Sequence, residues 1–278
     1  MLELYDKVCE ECSKVITNRY STSFSLGIRL FSKELRNPIY AIYGFVRFAD
    51  EIVDTFHEYD KKLLLKRFRE ETRLAIDQKI SLNPVLQAFQ KVVNEYDIGY
   101  ELIESFLDSM AMDLDDITYD NKLYNKYIYG SAEVVGLMCL KVFLKDSPKE
   151  YDELKESAQS LGSAFQKINF LRDIRDDYYN KGRTYFPDLN LSQFDDNDKR
   201  AIEKDIALDF ENGLKGISKL PQKAKFGVFI AYIFYYQLFK KIRTLSFENI
   251  LQERVRIKNR KKVYLLAKYS LKNRFNMI

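Results

Sequence analysis

The sequence predicts an all-α fold, on three observations. Glycine (10) and proline (5) are scarce among 278 residues, about a third to a half of ordinary usage, so sharp turns are few and helices are favoured. Apolar residues recur at spacings of three and four almost throughout, the period of a helix with one buried face. The breaks between periodic segments are short and none is flanked by a low-complexity linker, so residues 1–278 read as one domain able to bury a substantial core.

The N-terminal MLELYDKVCEECSK has no basic stretch followed by an apolar one, so no secretory leader is read there. Ile39, Ile42, Tyr43, Val46 and Ala49 trace one helix face leading into FADEIVDTF at 48–56. Leu102, Ile103, Phe106 and Leu107 mark another helix, and Leu161, Ala164, Phe165 and Ile168 mark the one leading into RDIRDD at 172–177. Asn37-Pro38, Asn83-Pro84, Ser147-Pro148, Asn180 to Pro187 and Leu220-Pro221 are the strongest stop signals. The polar stretch 188–200 reads as a surface loop before a helix starting near Ala201. The run FGVFIAYIFYYQLF at 226–239 is short for a bilayer span and contains Gln237, so it reads as a buried helix.

Several function classes fall away on composition. Cys9, Cys12 and Cys139 make neither a disulfide framework nor a four-ligand zinc site, and the compartment reads as reducing and cytoplasmic. His57 is the one histidine, which removes histidine-rich metal centres. A formal net charge of +4 is too mild for a nucleic-acid partner. The tail is nonetheless basic: from Arg254 to Arg274 there is no acidic residue, and Val263, Leu265, Leu266 and Tyr269 interrupt the cations. It reads as a solvated helix face or as an anion- or membrane-binding surface, the latter placing the protein peripherally at the inner face of a membrane.

The acids carry the chemistry. Asp50 and Asp54 are four apart, as are Asp173 and Asp177, so each pair shares one helix face. Like charges so placed repel, and both pairs sit among Phe, Ile, Leu and Val, so a cation should compensate. Hard carboxylate oxygens suit Mg²⁺, which completes its shell with water and substrate phosphate. Two facing pairs therefore suggest a diphosphate clamp, with surface salt bridges to Arg47, Arg172 and Arg175 as the bland alternative. Asp113, Asp115 and Asp116 read as a solvated helix-end patch, and Asp195 and Asp196 as loop acids without a role.

These residues resemble the squalene/phytoene synthase family through nearly the whole chain. YSTSFSLGIRL (20–30), IYGFVRFADEIVD (42–54), YIYGSAEVVGLM (127–138), FQKINFLRDIRDDYYNKGRTYFP (165–187), YYQLFKKI (235–242) and ERVRIKNRKK (253–262) each match a family segment. The wording of RFADEIVD and NFLRDIRDD is most similar to bacterial phytoene synthases, with dehydrosqualene and squalene synthases as close alternatives and a non-catalytic assembly factor of the same fold as a further one. Asp176 stands where the family commonly has Glu, and Tyr20 and Thr22 stand where some relatives carry basic residues.

The resemblance implies a helical bundle around a central apolar cavity and head-to-head condensation of two geranylgeranyl diphosphates to phytoene. Mg²⁺, or Mn²⁺, is implied on Asp50, Asp54, Asn169, Asp173 and Asp177, and no nicotinamide cofactor is expected. Arg47, Arg172, Arg183 and Arg260 are expected to hold diphosphate, a task suited to planar bidentate donors. Ser21 and Ser23 are expected to orient phosphate, and Gln166 to line the site beside Asn169. Phe24, Tyr43, Tyr129 and Tyr235 are expected to offer aromatic faces to carbocations. Ala41, Gly44, Ala132, Gly136 and Ala164 are small residues able to leave room for long prenyl tails.

Overall fold

A computed structural model of the chain describes residues 1–115, 117–180, 182–187 and 195–275. Among these residues the secondary structure is helical throughout. The first half comprises α1 (Leu2–Tyr20), α2 (Thr22–Ile28), α3 (Lys33–Asp54), α4 (Lys61–Gln78), α5 (Pro84–Glu95), α6 (Tyr100–Met112) and α7 (Asn121–Ile128). A π-helical turn, Tyr129–Glu133, joins α7 to α8 (Val134–Phe143), and a 3-10 turn, Pro148–Glu150, leads into α9 (Tyr151–Tyr179). Then follow α10 (Asp196–Lys219), α11 (Gln222–Arg243), α12 (Phe247–Gln252) and α13 (Asn259–Arg274).

Helix starts follow local chemistry. The side chains of Ser21, Asp60, Asn83, Asp120, Asp195 and Ser246 each accept a backbone N–H of the turn they precede. Four of the five expected stops hold, but α3 runs straight through Asn37-Pro38. Pro38 lies early in that helix between buried Leu35 and Ile39, where core contacts outweigh one missing hydrogen bond. The stretch expected to be loop up to Ala201 is helical from Asp196, because Asp195 and Asp198 close a reciprocal capping box; residues 188–194 and Asp116 lie outside the described residues.

The core has two main parts. Phe45 of α3 stacks on Phe89 of α5 at 3.9 Å and meets Phe106 of α6 at 5.4 Å, centring one cluster. Phe210, Tyr232 and Phe239 centre the other, on α10 and α11. The run 226–239 lies within α11, and among the described residues no helix is long and apolar enough to cross a membrane.

The longest helix, α9, is locked in rotation by buried polar contacts. Lys167 donates to Asp209 at 2.7 Å and also pairs with Asp205, while Ser163 Oγ donates to Asp209 at 3.0 Å. Because Lys167 is turned to α10, residues on the opposite side of α9, such as Asn169 and Asp173, face a cavity between the two core clusters.

Candidate active site

The cavity has a volume of about 1480 Å³, beyond the roughly 300–1,000 Å³ usual for small-molecule sites. Leu154 and Asp177, both on α9, line it, and the 23 residue steps from one to the other correspond to about 35 Å of helix. The deep end is apolar, walled by Phe31, Leu140, Phe143, Leu154 and Leu220. The other end carries the charges.

Small residues make the slot, though not all of those expected. Ala132 and Gly136 are on the wall, whereas a side chain at Gly44 would meet Ser13 of α1, and Ala41 and Ala164 are packed into the core away from the cavity. Gly162 is on the wall too, and a Cβ there would lie 2.7 Å from the Ala132 carbonyl oxygen, so the glycine lets α9 approach the π turn.

At the charged end, α3 presents Asp50 and Asp54 and α9 presents Asp173 and Asp177, and all four line the cavity. Arginines compensate them. Arg47 lies 3.6 Å from Asp50 and also pairs with Glu51. Arg183 donates to Asp54 Oδ1 at 2.7 Å. Asp173 is gripped on both oxygens twice over, by Arg172 and by Arg254, whose Nε and Nη2 lie at 2.6 and 3.1 Å. The bland salt-bridge reading thus describes Arg47 and Arg172; Arg175 instead donates to the Gln252 carbonyl.

The electrostatics follow from these contacts. Burial works to raise the Asp173 carboxyl, but Arg172 and Arg254 outweigh it and hold the group below its ordinary range. Burial likewise opposes the charge on Arg183, while Asp113, Tyr185 and Asp54 together raise its pKa further. Burial pushes the Tyr43 phenol up to about 12 and raises Tyr235 as well, so both stay neutral ring faces. Phe24 lies 5.7 Å from Tyr43 and 6.0 Å from Tyr235, and Phe165 stacks on Tyr235 at 4.0 Å.

Other expected residues are also at the cavity. Ser21 lines it while capping α2 through the Phe24 N–H at 3.2 Å. Gln166 and Asn169 line it, and Tyr235 Oη donates to Asn169 at 3.4 Å. Three expectations are not met by placement. Ser23 is one position round α2 from the wall. Tyr129 falls on the π turn, whose wider winding gives the wall to Ser131 and Ala132 and leaves the Tyr129 phenol near Glu133 and Glu101. Arg260 is exposed near the start of α13, and the extended segment before that helix brings Arg254 and Arg256 to the cavity instead.

Tyr20 and Thr22 carry no charge, and cations reach both from elsewhere in the fold. The Arg47 guanidinium lies 4.3 Å above the Tyr20 ring, and Lys262 Nζ donates to Thr22 Oγ1 at 3.3 Å. Burial, and then proximity to Arg172, lowers the Lys262 pKa.

Asp113 departs from the solvated patch that its acidic neighbours suggest. It is buried rather than solvated, lines the cavity, and accepts from Tyr127 Oη at 2.8 Å and Tyr185 Oη at 2.9 Å. Its spacing from Phe106 and Met110 on the buried face of α6 was the available signal.

The donor set suits Mg²⁺. Among the described residues no three acidic, histidine or cysteine side chains converge on one point, so each pair offers a partial shell to an ion that keeps water and phosphate oxygens. Arg47 Nε and Ser131 Oγ, both on the cavity wall, are buried without a hydrogen-bond partner, donors that a phosphate oxygen at the same wall would satisfy.

Residues 17–261 match the squalene/phytoene synthase family. The chain is 26% identical over 289 aligned positions to phytoene synthase 1 of Solanum lycopersicum, covering 96% of this chain and 68% of the tomato protein. It is 28% identical over 200 positions to a 4,4'-diapophytoene synthase of Staphylococcus haemolyticus, covering 70% of this chain and 67% of that one. The chain spans about two thirds of the length of such relatives. Its fold superposes on a ligand-bound dehydrosqualene synthase with a TM-score of 0.81 at 20% identity, covering 98% of this chain and 99% of that one.

Proposed function

Because the chain belongs to the squalene/phytoene synthase family, we propose that it condenses two geranylgeranyl diphosphates head to head into 15-cis-phytoene. The observation that carries this reading is one cavity with two acidic pairs and their arginines at one end and a largely apolar wall behind them, about 17 Å of it along α9 from Leu154 to Phe165.

Asp50, Asp54, Asn169, Asp173 and Asp177 would hold Mg²⁺ or Mn²⁺, which supplies positive charge to the diphosphate oxygens as the carbon–oxygen bond breaks. Arg47, Arg172, Arg183 and Arg254, with Lys262, bind and orient the diphosphates. Loss of diphosphate from one substrate leaves an allylic cation. The alkene of the second substrate attacks it, and loss of a proton closes a cyclopropane. Departure of the second diphosphate, rearrangement and loss of another proton give the central triene. Phe24, Tyr43, Phe165 and Tyr235 keep water out and offer ring faces to the cations. Termination by proton loss needs no nicotinamide cofactor.

A second reading, condensation of two farnesyl diphosphates, is favoured by the likeness to the diapophytoene and dehydrosqualene synthases. Incubation with Mg²⁺ and each diphosphate, with and without NADPH, separates the two. Phytoene from the C20 substrate without NADPH is expected; turnover confined to the C15 substrate, or a reduced product only with NADPH, overturns the C20 reading.

The outer face of α13 exposes Val263, Tyr264 and Leu271 beside Lys261, Lys268 and Lys272. That pattern suits peripheral attachment to an anionic bilayer, the phase into which a hydrocarbon product would pass.

A further inference from the structure

We propose that Asp113 is a positioning residue for the reaction: it holds Arg183, and through Arg183 it orients Asp54 and ties the ends of the two acidic helices together. Asp113 caps the C-terminal end of α6, with a side chain only 5% exposed. Both carboxylate oxygens are engaged, Oδ2 by Tyr127 and Oδ1 by Tyr185, and its own carbonyl accepts from Arg183 Nη2 at 2.9 Å. Arg183 Nη1 lies 3.9 Å from Asp113 Oδ1 and 2.7 Å from Asp54 Oδ1. The same guanidinium reaches the Val53 carbonyl at 3.3 Å, and the Arg183 backbone N–H donates to the Asp177 carbonyl at 2.8 Å. One arginine therefore touches the end of α6, the end of α3 and the end of α9.

Stability alone does not account for this arrangement. Taking a carboxylate and a guanidinium out of water costs about as much as their attraction returns, and an apolar pair of the same size usually packs as well. What a buried, fully hydrogen-bonded pair does supply is a fixed direction. Arg183 has several acceptors within reach, and Asp113, itself clamped by two phenols, selects the pose in which Nη1 faces Asp54. An outer group of this kind orients a ligating carboxylate and tunes its basicity.

The inference rests on the reading of Asp54 as a metal-binding acid, and its test separates the two. The binding of Mn²⁺ in the presence of inorganic pyrophosphate is measured from the signal of free Mn²⁺ in electron paramagnetic resonance, for the full chain and for Asp113→Asn, Arg183→Met and the double variant, with circular dichroism as the check on folding. We expect Asp113→Asn to keep its helical spectrum and to weaken Mn²⁺ binding about 10- to 100-fold, with Arg183→Met similar and the double variant no weaker than Arg183→Met. Asp113→Asn binding Mn²⁺ as tightly as the unaltered chain, or losses that simply multiply in the double variant, overturn the proposal. If Asp113→Asn does not fold, Tyr127→Phe combined with Tyr185→Phe keeps every charge and removes only the clamp. A several-fold loss of Mn²⁺ affinity then supports the proposal and an unchanged affinity overturns it. An unaltered chain that binds no Mn²⁺ with pyrophosphate overturns the metal reading itself, and this inference with it.

Discussion

Arg254 and Asp173, 81 positions apart in the chain, meet at the cavity mouth through two hydrogen bonds of 2.6 and 3.1 Å. The contact brings the extended segment before α13 down onto α9, so the basic tail is divided between the site and the surface. Asp173 is therefore a neutralised acid, and removing its charge relieves no repulsion.

The pH dependence of that contact has a definite sign. The folded Asp173 carboxyl is held below its ordinary value, near 3.9. Its contribution to stability is thus present above that value and disappears as pH falls through the folded one. Thermal melting of the unaltered chain and of Asp173→Asn should show the unaltered chain more stable at pH 6, with the gap closing below about pH 4. A gap independent of pH would remove this account.

Chelation tests the metal. EDTA should abolish condensation and added Mg²⁺ restore it, with Mn²⁺ as a substitute, because the acids act here as ligands rather than as proton donors. Turnover persisting in chelator contradicts the ligand role.

Gly162→Ala isolates the close approach of α9 to the π turn. Helix propensity alone would favour alanine by about 1 kcal/mol, yet the new Cβ would fall 2.7 Å from the Ala132 carbonyl, an atom of the backbone that cannot swing aside. We expect a net destabilisation of about 1–3 kcal/mol, read from denaturant melts. A more stable variant would show that the π turn yields.

Membrane attachment through α13 should depend on charge. Co-sedimentation with vesicles rich in anionic lipid should exceed that with neutral vesicles and fade as salt is raised. Replacing Lys261, Lys268 and Lys272 by Gln should remove most of the difference, and equal binding to both lipids would refute the attachment mode.

The sequence by itself determined the helical class, four of the breaks between helices and the two acidic pairs, because all of these are written in local spacing. Apolar residues at the helical period bury one face wherever the chain folds, and residues four apart share a face whatever that face meets. The tertiary structure decided which partners the acids find. Asp54 and Arg183 are 129 positions apart, and nothing local says that the guanidinium will turn toward α3. The same holds for Asp113: local polarity reads as solvation, but the phenols that bury it come from Tyr127 and Tyr185, which arrive there only when the bundle closes. Tyr129 was displaced from the wall by a π turn whose single extra residue per turn leaves no mark in the helical period. Local sequence sets which groups share a face, and only packing over long separations sets which faces meet.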